Sequence, residues 1–373
     1  MNTMVNTFMD LEKLTLSQSK CHNIHIGKQN SKCPALKVNG KEMENSEQEI
    51  YLGDVVHKST NNKPNIDRRK TKGFGIINEI IAITNEIPMA YWKVKAALQL
   101  RQAMFVNGVL FNSEAWHNIV DKDIVPLEKV DEALLRGIFS AHSKTPLEAL
   151  YLESGAVPLR FIIKSRRLMY LHNLLQKSEN EMTKKIYEAQ KANPSTGDFS
   201  ELVKDDLKSI DLNLSDVEIS RLSKQKFKAI IKDKINSCAL KYLKSLKDEH
   251  TKMKNLNYEK RELQPYLSSP IFNEESSNLI FRLWTRTVSG IRNDFKGLYD
   301  DISCPLMCGD NDTLENLLEC KVTLSQLKTD QLCHGKIHYN DIFSKDITRQ
   351  KEATEMFRSL IEIRNKMLSQ PVA

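Results

Sequence analysis

From about residue 97 to the C-terminus, apolar side chains return every three to four positions, a spacing that commits most of the chain to amphipathic helices. Ala97, Leu100, Met104 and Phe111 form one stripe, with Gly108 on the same face. Leu127, Val130, Leu134 and Ile138 form a second, and Phe161, Leu168, Leu171 and Leu175 a third. Phe227, Ile231, Ile235, Cys238 and Tyr242 run down one side of a long helix, and Met356, Leu360, Ile363 and Met367 down a last one. Core packing in a helical bundle accounts for each stripe.

Ahead of the stripes the period falls to two. His22 to Gly27 alternates apolar residues with others, and Leu36-Lys37-Val38 is followed by Asn39-Gly40, a strong two-residue hairpin signal, then Lys41-Glu42-Met43. Ile50 to Val56 reads as a further strand, with Gly53 inside it marking a bulge or a close backbone approach. Residues 58–65 and 268–278 read as loops, and Asn193 to Asp198 as a linker or tight turn. Ser215 with Glu218 is a capping box opening a helix. No fixed-period repeat is present. The expected fold is α+β: mainly α, with a small N-terminal antiparallel β region, a helical body and a small cysteine-bearing C-terminal module.

The 373 residues leave room for two or three modest domains. A chain that is 40% hydrophobic and 28% charged is ordinary for a globular protein. Met1 to Lys13 lacks the basic start and apolar run of a signal peptide. The apolar stretch Gly75 to Thr84 contains Asn78 and Glu79 and is too short to span a bilayer. The expected location is intracellular, cytoplasmic or nuclear, with no membrane partner. Seven cysteines, an odd and sparse set, fit a reducing compartment. A formal charge of +7 permits a polyanionic partner without demanding one.

No phosphate-binding Gly-rich loop, G-x-S-x-G elbow or H-E-x-x-H helix occurs. His22 and His25, three apart in a strand, point to opposite faces. Asp121 with Asp123, and Asp205 with Asp206, lie in polar, Lys-rich segments and read as solvated surface. The basic clusters are more suggestive. Arg68, Arg69, Lys70 and Lys72 precede Gly73, and Lys164, Arg166 and Arg167 fall early in another helix. Such groups contact phosphates without reading sequence, and the guanidinium fork suits phosphate better than a point charge. Lys224, Lys226, Lys228, Lys232 and Lys234 line a helix as either a phosphate track or a solvated face. Cys304-Pro-Leu-Met-Cys308 followed by Cys320 places thiolates at short spacing, as small zinc modules do. Cys333, His334 or His338 are the candidates for a fourth ligand; the alternative is a set of reduced free thiols.

Several phrases then line up in order. Leu16 to Cys21, His25-Ile26-Gly27 and Tyr51-Leu52-Gly53-Asp54 resemble the stretch after the catalytic carboxylates in non-LTR (LINE-type) retrotransposon reverse transcriptases. Asn112 to Trp116, Leu127 to Asp131, Leu134-Leu135-Arg136, Lys144-Thr145-Pro146 and Leu150 to Gly155 resemble that family's thumb. So do Pro158-Leu159-Arg160 and Arg166-Arg167-Leu168, and the likeness continues through Pro194 to Asp198, Tyr266-Leu267-Ser268 and Cys304-Pro305-Leu306. It spans roughly Leu14 to Cys320 without large gaps.

The resemblance implies a palm tail with a primer-grip-like hairpin over 1–60, a helical thumb over 61–192, a helical connector over 193–300, and a degenerate zinc-knuckle-like module with a C-terminal helix over 301–373. Lys20 matches a lysine proposed to protonate departing pyrophosphate. Tyr51, Leu52 and Gly53 match the primer grip, and the arginine clusters match thumb contacts to RNA or an RNA/DNA duplex. The family's two-metal chemistry uses magnesium held by carboxylates of a Y/F-x-D-D turn; that turn is absent here, and Phe8-Met9-Asp10 is no substitute. In the knuckle Met307 is an extra residue, and Asn316 stands where the family has histidine; neutral amides are poor zinc ligands beside thiolates. Zinc is therefore the one cofactor the resemblance leaves open. The expectation is a truncated, retrotransposon-derived protein that retains nucleic-acid holding parts and is no enzyme as this chain. The alternatives are part of an active RNA-directed DNA polymerase whose upstream half is missing, or a helical protein-interaction module.

Overall fold

The computed structural model describes residues 21–26, 37–38, 41–253, 256–295, 298–327 and 337–370. Among the described residues helices dominate, after three short strand pairs at the front. Two pairs are antiparallel: Lys37–Val38 with Lys41–Glu42, and Gln48–Tyr51 with Asp54–His57. The third, His22–Asn23 with Glu44–Asn45, is parallel. The alternation over 22–27 thus yields a strand of two residues, and Asn39-Gly40 lies outside the described residues. Ile50 to Val56 is not one strand. Leu52 (φ 49°) and Gly53 (φ 89°) both sit in the left-handed region, which breaks the run into a two-residue hairpin.

Two expected loops are shorter than their composition suggests. The helix Lys63–Asn85 begins inside residues 58–65, because Pro64 fits a first turn whose N–H groups need no intrahelical partner. Asn61 Oδ1 also accepts from the Lys63 amide at 2.8 Å. The helix Glu274–Trp284 begins inside 268–278, where Asn273 caps the Ser276 amide at 2.8 Å and two acidic residues fill the first turn. The Ser215–Glu218 capping box is present as expected.

The chain groups into two interleaved units. The first comprises Met1–Gly73, Gly108–Leu127 and Ile163–Lys228; the second comprises Phe74–Asn107, Glu128–Ile162 and Ala229–Ala373. In the first, Leu168, Leu171 and Leu174 are buried, and Phe199 meets Tyr170 and Tyr187 edge-on. Among the described residues, the second gathers apolar side chains into clusters that include these two. One gathers Leu135, Phe139, Leu150, Tyr266 and Phe281; the other gathers Leu283, Leu314, Phe357 and Leu360.

The stripe from Ala97 shifts phase. The helix Ala90–Leu100 runs into a π turn, Arg101–Val106, whose i→i+5 bonding inserts a residue. The buried face becomes Ala97, Arg101, Phe105, Val106 and Val109, while Phe111 falls beyond the helix and is exposed. Arg101, one helical turn after Ala97 and at the start of the π turn, enters the core of the second unit. Its Nε donates to Asp131 Oδ1 at 2.6 Å, and its Nη2 to Asp131 Oδ2 at 2.5 Å and to the Val157 carbonyl at 3.0 Å. The Tyr151 hydroxyl donates to the same Asp131 at 2.8 Å. A buried carboxylate with this many donors is compensated as a buried charge must be.

Candidate functional site

The most elaborated polar site of the first unit is built under the hairpin tip. A side chain at Gly53 would have to adopt φ 89° and would sit 3.3 Å from the Phe111 ring. Without it, the backbone approaches closely enough for two arginines to grip it. Arg68 Nη1 donates to the Gly53 carbonyl at 2.6 Å and Arg69 Nη2 at 2.9 Å. Arg69 also donates to Asp54 Oδ1 at 2.7 Å and to the Gly108 carbonyl at 3.3 Å, with its guanidinium 5.4 Å from the Phe111 ring centre. Asp54 collects further donors from Asn65 (3.1 Å) and Asn112 (3.0 Å). The turn is therefore fixed from below by a charge-assisted network.

The upper side is apolar and open. Tyr51 is 68% exposed and Leu52 73%, beside an exposed Ile50. On the helix below, Arg68, Lys70 and Lys72 are exposed, while Arg69 is buried. An aromatic and aliphatic tip carried on a cationic helix combines stacking surface with phosphate attraction, the two features single strands and duplex ends are held by.

The second arginine cluster is placed differently. Arg167 is buried and pairs with Asp206 at 3.2 Å. Burial outweighs that pairing in both groups: it pushes the Arg167 guanidinium down, and it raises Asp206 to about 6 against the pull of Arg167. The surface reading of Asp206 is thus overturned; the segment is polar, but the residue faces inward as the counter-ion of an inward-facing arginine. Arg166 is half-buried, donates to the Leu110 carbonyl, and is pushed down by burial. Lys164 donates to the Ser209 hydroxyl at 2.9 Å. Lys224, Lys226, Lys228 and Lys232 are exposed on the helix Lys224–Glu249, and Lys234 is half-buried.

In the second unit, a bridge between Ser303 and Asn311 and a bond from the Cys304 amide to the Asp310 carbonyl (2.8 Å) fold the cysteine segment into a knuckle. Met307 takes φ 55° and is 92% exposed, so the extra residue bulges outward. The sulfurs of Cys304, Cys308 and Cys320 all lie within 4.8 Å of one another. Tetrahedral zinc with Zn–S of about 2.3 Å sets thiolates about 3.8 Å apart, so the set could close on such a metal with a small contraction. The three cysteines could hold a metal such as zinc. Asn316 occupies the neighbouring position, its Nδ2 3.5 Å from Cys308 Sγ. Burial raises the Cys304 thiol to about 11, whereas the Asp310 amide and the Asn316 amide lower that of Cys308. Lys20, Cys333 and His334 lie outside the described residues; His338 instead caps the turn Tyr339–Phe343.

Sequence reasoning assigned no role to Asp54, Asn65 or Asn112. Asp54 and Asn112 belong to the phrases that carried the resemblance, yet only the fold brings them together. No described helix is long and apolar enough to cross a membrane. Comparison with models of protein families, with curated proteins and with solved structures finds no match.

Proposed function

We propose that this chain is a reverse transcriptase-like protein of the LINE type that holds an RNA or RNA/DNA duplex without polymerising it. The supporting observation is the hairpin Gln48–His57, whose exposed Tyr51-Leu52 tip is gripped through the Gly53 carbonyl by Arg68 and Arg69. Tyr51 and Leu52 pack against the sugar or base at a strand end. Arg68, Lys70 and Lys72 lie along the phosphates, and Lys164 and Arg166 extend the basic surface. Arg69 and Arg167 act from inside, the one holding the turn and the other holding Asp206. A polymerase role for Lys20 requires the Y/F-x-D-D carboxylates beside it. The knuckle carries zinc on Cys304, Cys308 and Cys320.

Binding of a labelled RNA/DNA template–primer to the whole chain, measured across a salt series, tests the reading. Affinity should fall steeply with salt, and Tyr51→Ala should weaken it by about 1–3 kcal/mol, a stacking contribution. Absence of binding at low salt, or binding indifferent to Tyr51→Ala, rejects it. Metal analysis of the purified protein addresses the knuckle: near-stoichiometric zinc is expected, and its loss in Cys308→Ser.

A further inference from the structure

The second unit contains a cleft of about 850 Å³ lined by residues 142–148, His250, Lys252, Arg286, residues 293–295 and Leu298. That volume lies within the range of small-molecule sites. Its charges are mixed in an ordered way. Lys144 is exposed, and Lys252 Nζ sits 4.8 Å from the Phe295 ring centre. His142 Nδ1 accepts from the Lys144 amide at 3.1 Å, which leaves the proton on Nε2 as a donor. Burial and the charges of Lys252, Arg282, Lys144 and Arg136 hold this imidazole below its usual range, so it stays neutral in a positive field.

Two carboxylates face the same space from the other sense of charge. Glu148 and Asp294 are both more than nine-tenths buried. Among the described residues, Glu148 Oε1 and Asp294 Oδ2 have no hydrogen-bond partner. His250 Nε2 comes within 3.3 Å of Glu148 Oε1 but without hydrogen-bond alignment, and Arg286 reaches only the other oxygen of Asp294, at 3.4 Å. Buried acceptors left open are costly, and a ligand that brings N–H donors relieves them. Apolar surface completes the lining, with Leu147, Phe295 and a 71%-exposed Leu298.

We propose that this cleft binds a mononucleotide: phosphates at Lys144 and Lys252 with a bond from His142 Nε2, and the N–H donors of the base at Glu148 or Asp294. The cationic side selects the phosphates, the open acceptors select a nitrogen-bearing ring, and neither alone requires both features. The site involves none of the hairpin residues and stands independently of the duplex-holding reading.

Calorimetric titration of the whole chain with ATP, GTP, adenosine and inorganic tripolyphosphate tests it. Saturable binding of at least one nucleotide is expected. Lys144→Gln, an exposed substitution that leaves the core intact, should weaken it about tenfold. Glu148→Gln keeps the side chain's shape but replaces one acceptor with a donor; it should weaken nucleotide binding and leave tripolyphosphate unchanged. The proposal is overturned by absence of nucleotide binding at millimolar concentration, or by tripolyphosphate binding as tightly as the nucleotides. It is equally overturned if Lys144→Gln has no effect, or if the double variant Lys70→Gln/Lys72→Gln weakens nucleotide binding as much as Lys144→Gln does.

Discussion

The two units of this protein each use an arginine–aspartate pair, and they use it to opposite ends. In the second unit, Arg101 and Asp131 are both almost fully buried, and Tyr151 and a backbone carbonyl complete the set. In the first unit, Arg69 is buried but Asp54 keeps about a quarter of its side chain in solvent, and the pair supports a turn whose other face is open. The same chemistry gives a closed structural clamp in one place and a pedestal for an exposed surface in the other. The difference comes from what lies beyond the carboxylate: helices at Asp131, a two-residue hairpin at Asp54. A basic residue in sequence therefore carries no function by itself; what its charge is already committed to decides whether any is left for a partner.

The contrast can be broken most forcefully at the closed clamp. Asp131→Ala leaves Arg101 buried without its counter-ion, and loss of one partner of a buried pair costs about 3–5 kcal/mol. Urea unfolding should show the loss in full; a change below about 1 kcal/mol would mean that solvent reaches Arg101 and the clamp is no more closed than the pedestal. Next in size is Gly155→Ala. Gly155 sits at φ 67°, and a Cβ there would lie 2.6 Å from the backbone of Glu262. The left-handed strain and the clash together should cost at least about 2 kcal/mol in the same assay.

A pH series sharpens the comparison further, since the second unit also buries Glu153 between the hydroxyls of Tyr258 and Tyr266. Burial raises Glu153 from 4.5 to about 7. A carboxyl whose folded pKa lies above its unfolded value binds protons more tightly in the folded state. Its contribution is full below about pH 4.5 and is lost as pH rises through about 7. Stability should decline across that window, and Glu153→Gln should flatten the slope; an unchanged slope would assign the decline to other groups, such as Asp206. The smallest stability effects belong at the pedestal. Gly53→Ala forces a Cβ into φ 89° beside a Phe111 ring that can turn aside, for about 1 kcal/mol, with a larger loss in duplex binding. Lys72→Gln should leave stability within about 0.5 kcal/mol and reduce the salt slope of binding by about one. A stability loss larger than the binding loss in both variants would make the hairpin structural.

Much of the fold was legible in the order of residues. The stripes at 127–138 and 161–175 placed helices whose Leu127, Val130, Leu134, Phe161, Leu168 and Leu171 are buried, because helical period and burial report the same geometry. The capping box at Ser215 and the tight turn at 194–198 were equally local, and local hydrogen bonding is what such signals encode. Of the candidate site, the positions Tyr51, Leu52 and Gly53 were legible, but as a strand interior by pattern and as a hairpin only by resemblance.

What the chain could not declare locally was left to long-range packing. Arg101, four positions after Ala97, shares its buried helical face, yet only the fold supplies Asp131 as its partner; a π turn follows, and the helix ends at Val109, which leaves Phe111 outside it. Arg68 and Arg69 are neighbours of identical type, yet one is exposed and one buried; adjacent helical positions point about 100° apart, and only the packed hairpin says which faces inward. Arg167 and Asp206, 39 positions apart, became partners in the same way. Which residues are helical, apolar or basic follows from the order of amino acids, because those properties belong to single side chains and their spacing. Tertiary structure alone decided which charges are consumed inside the protein and which remain at its surface, because a charge is neutralised by whatever the fold brings within a few ångströms of it.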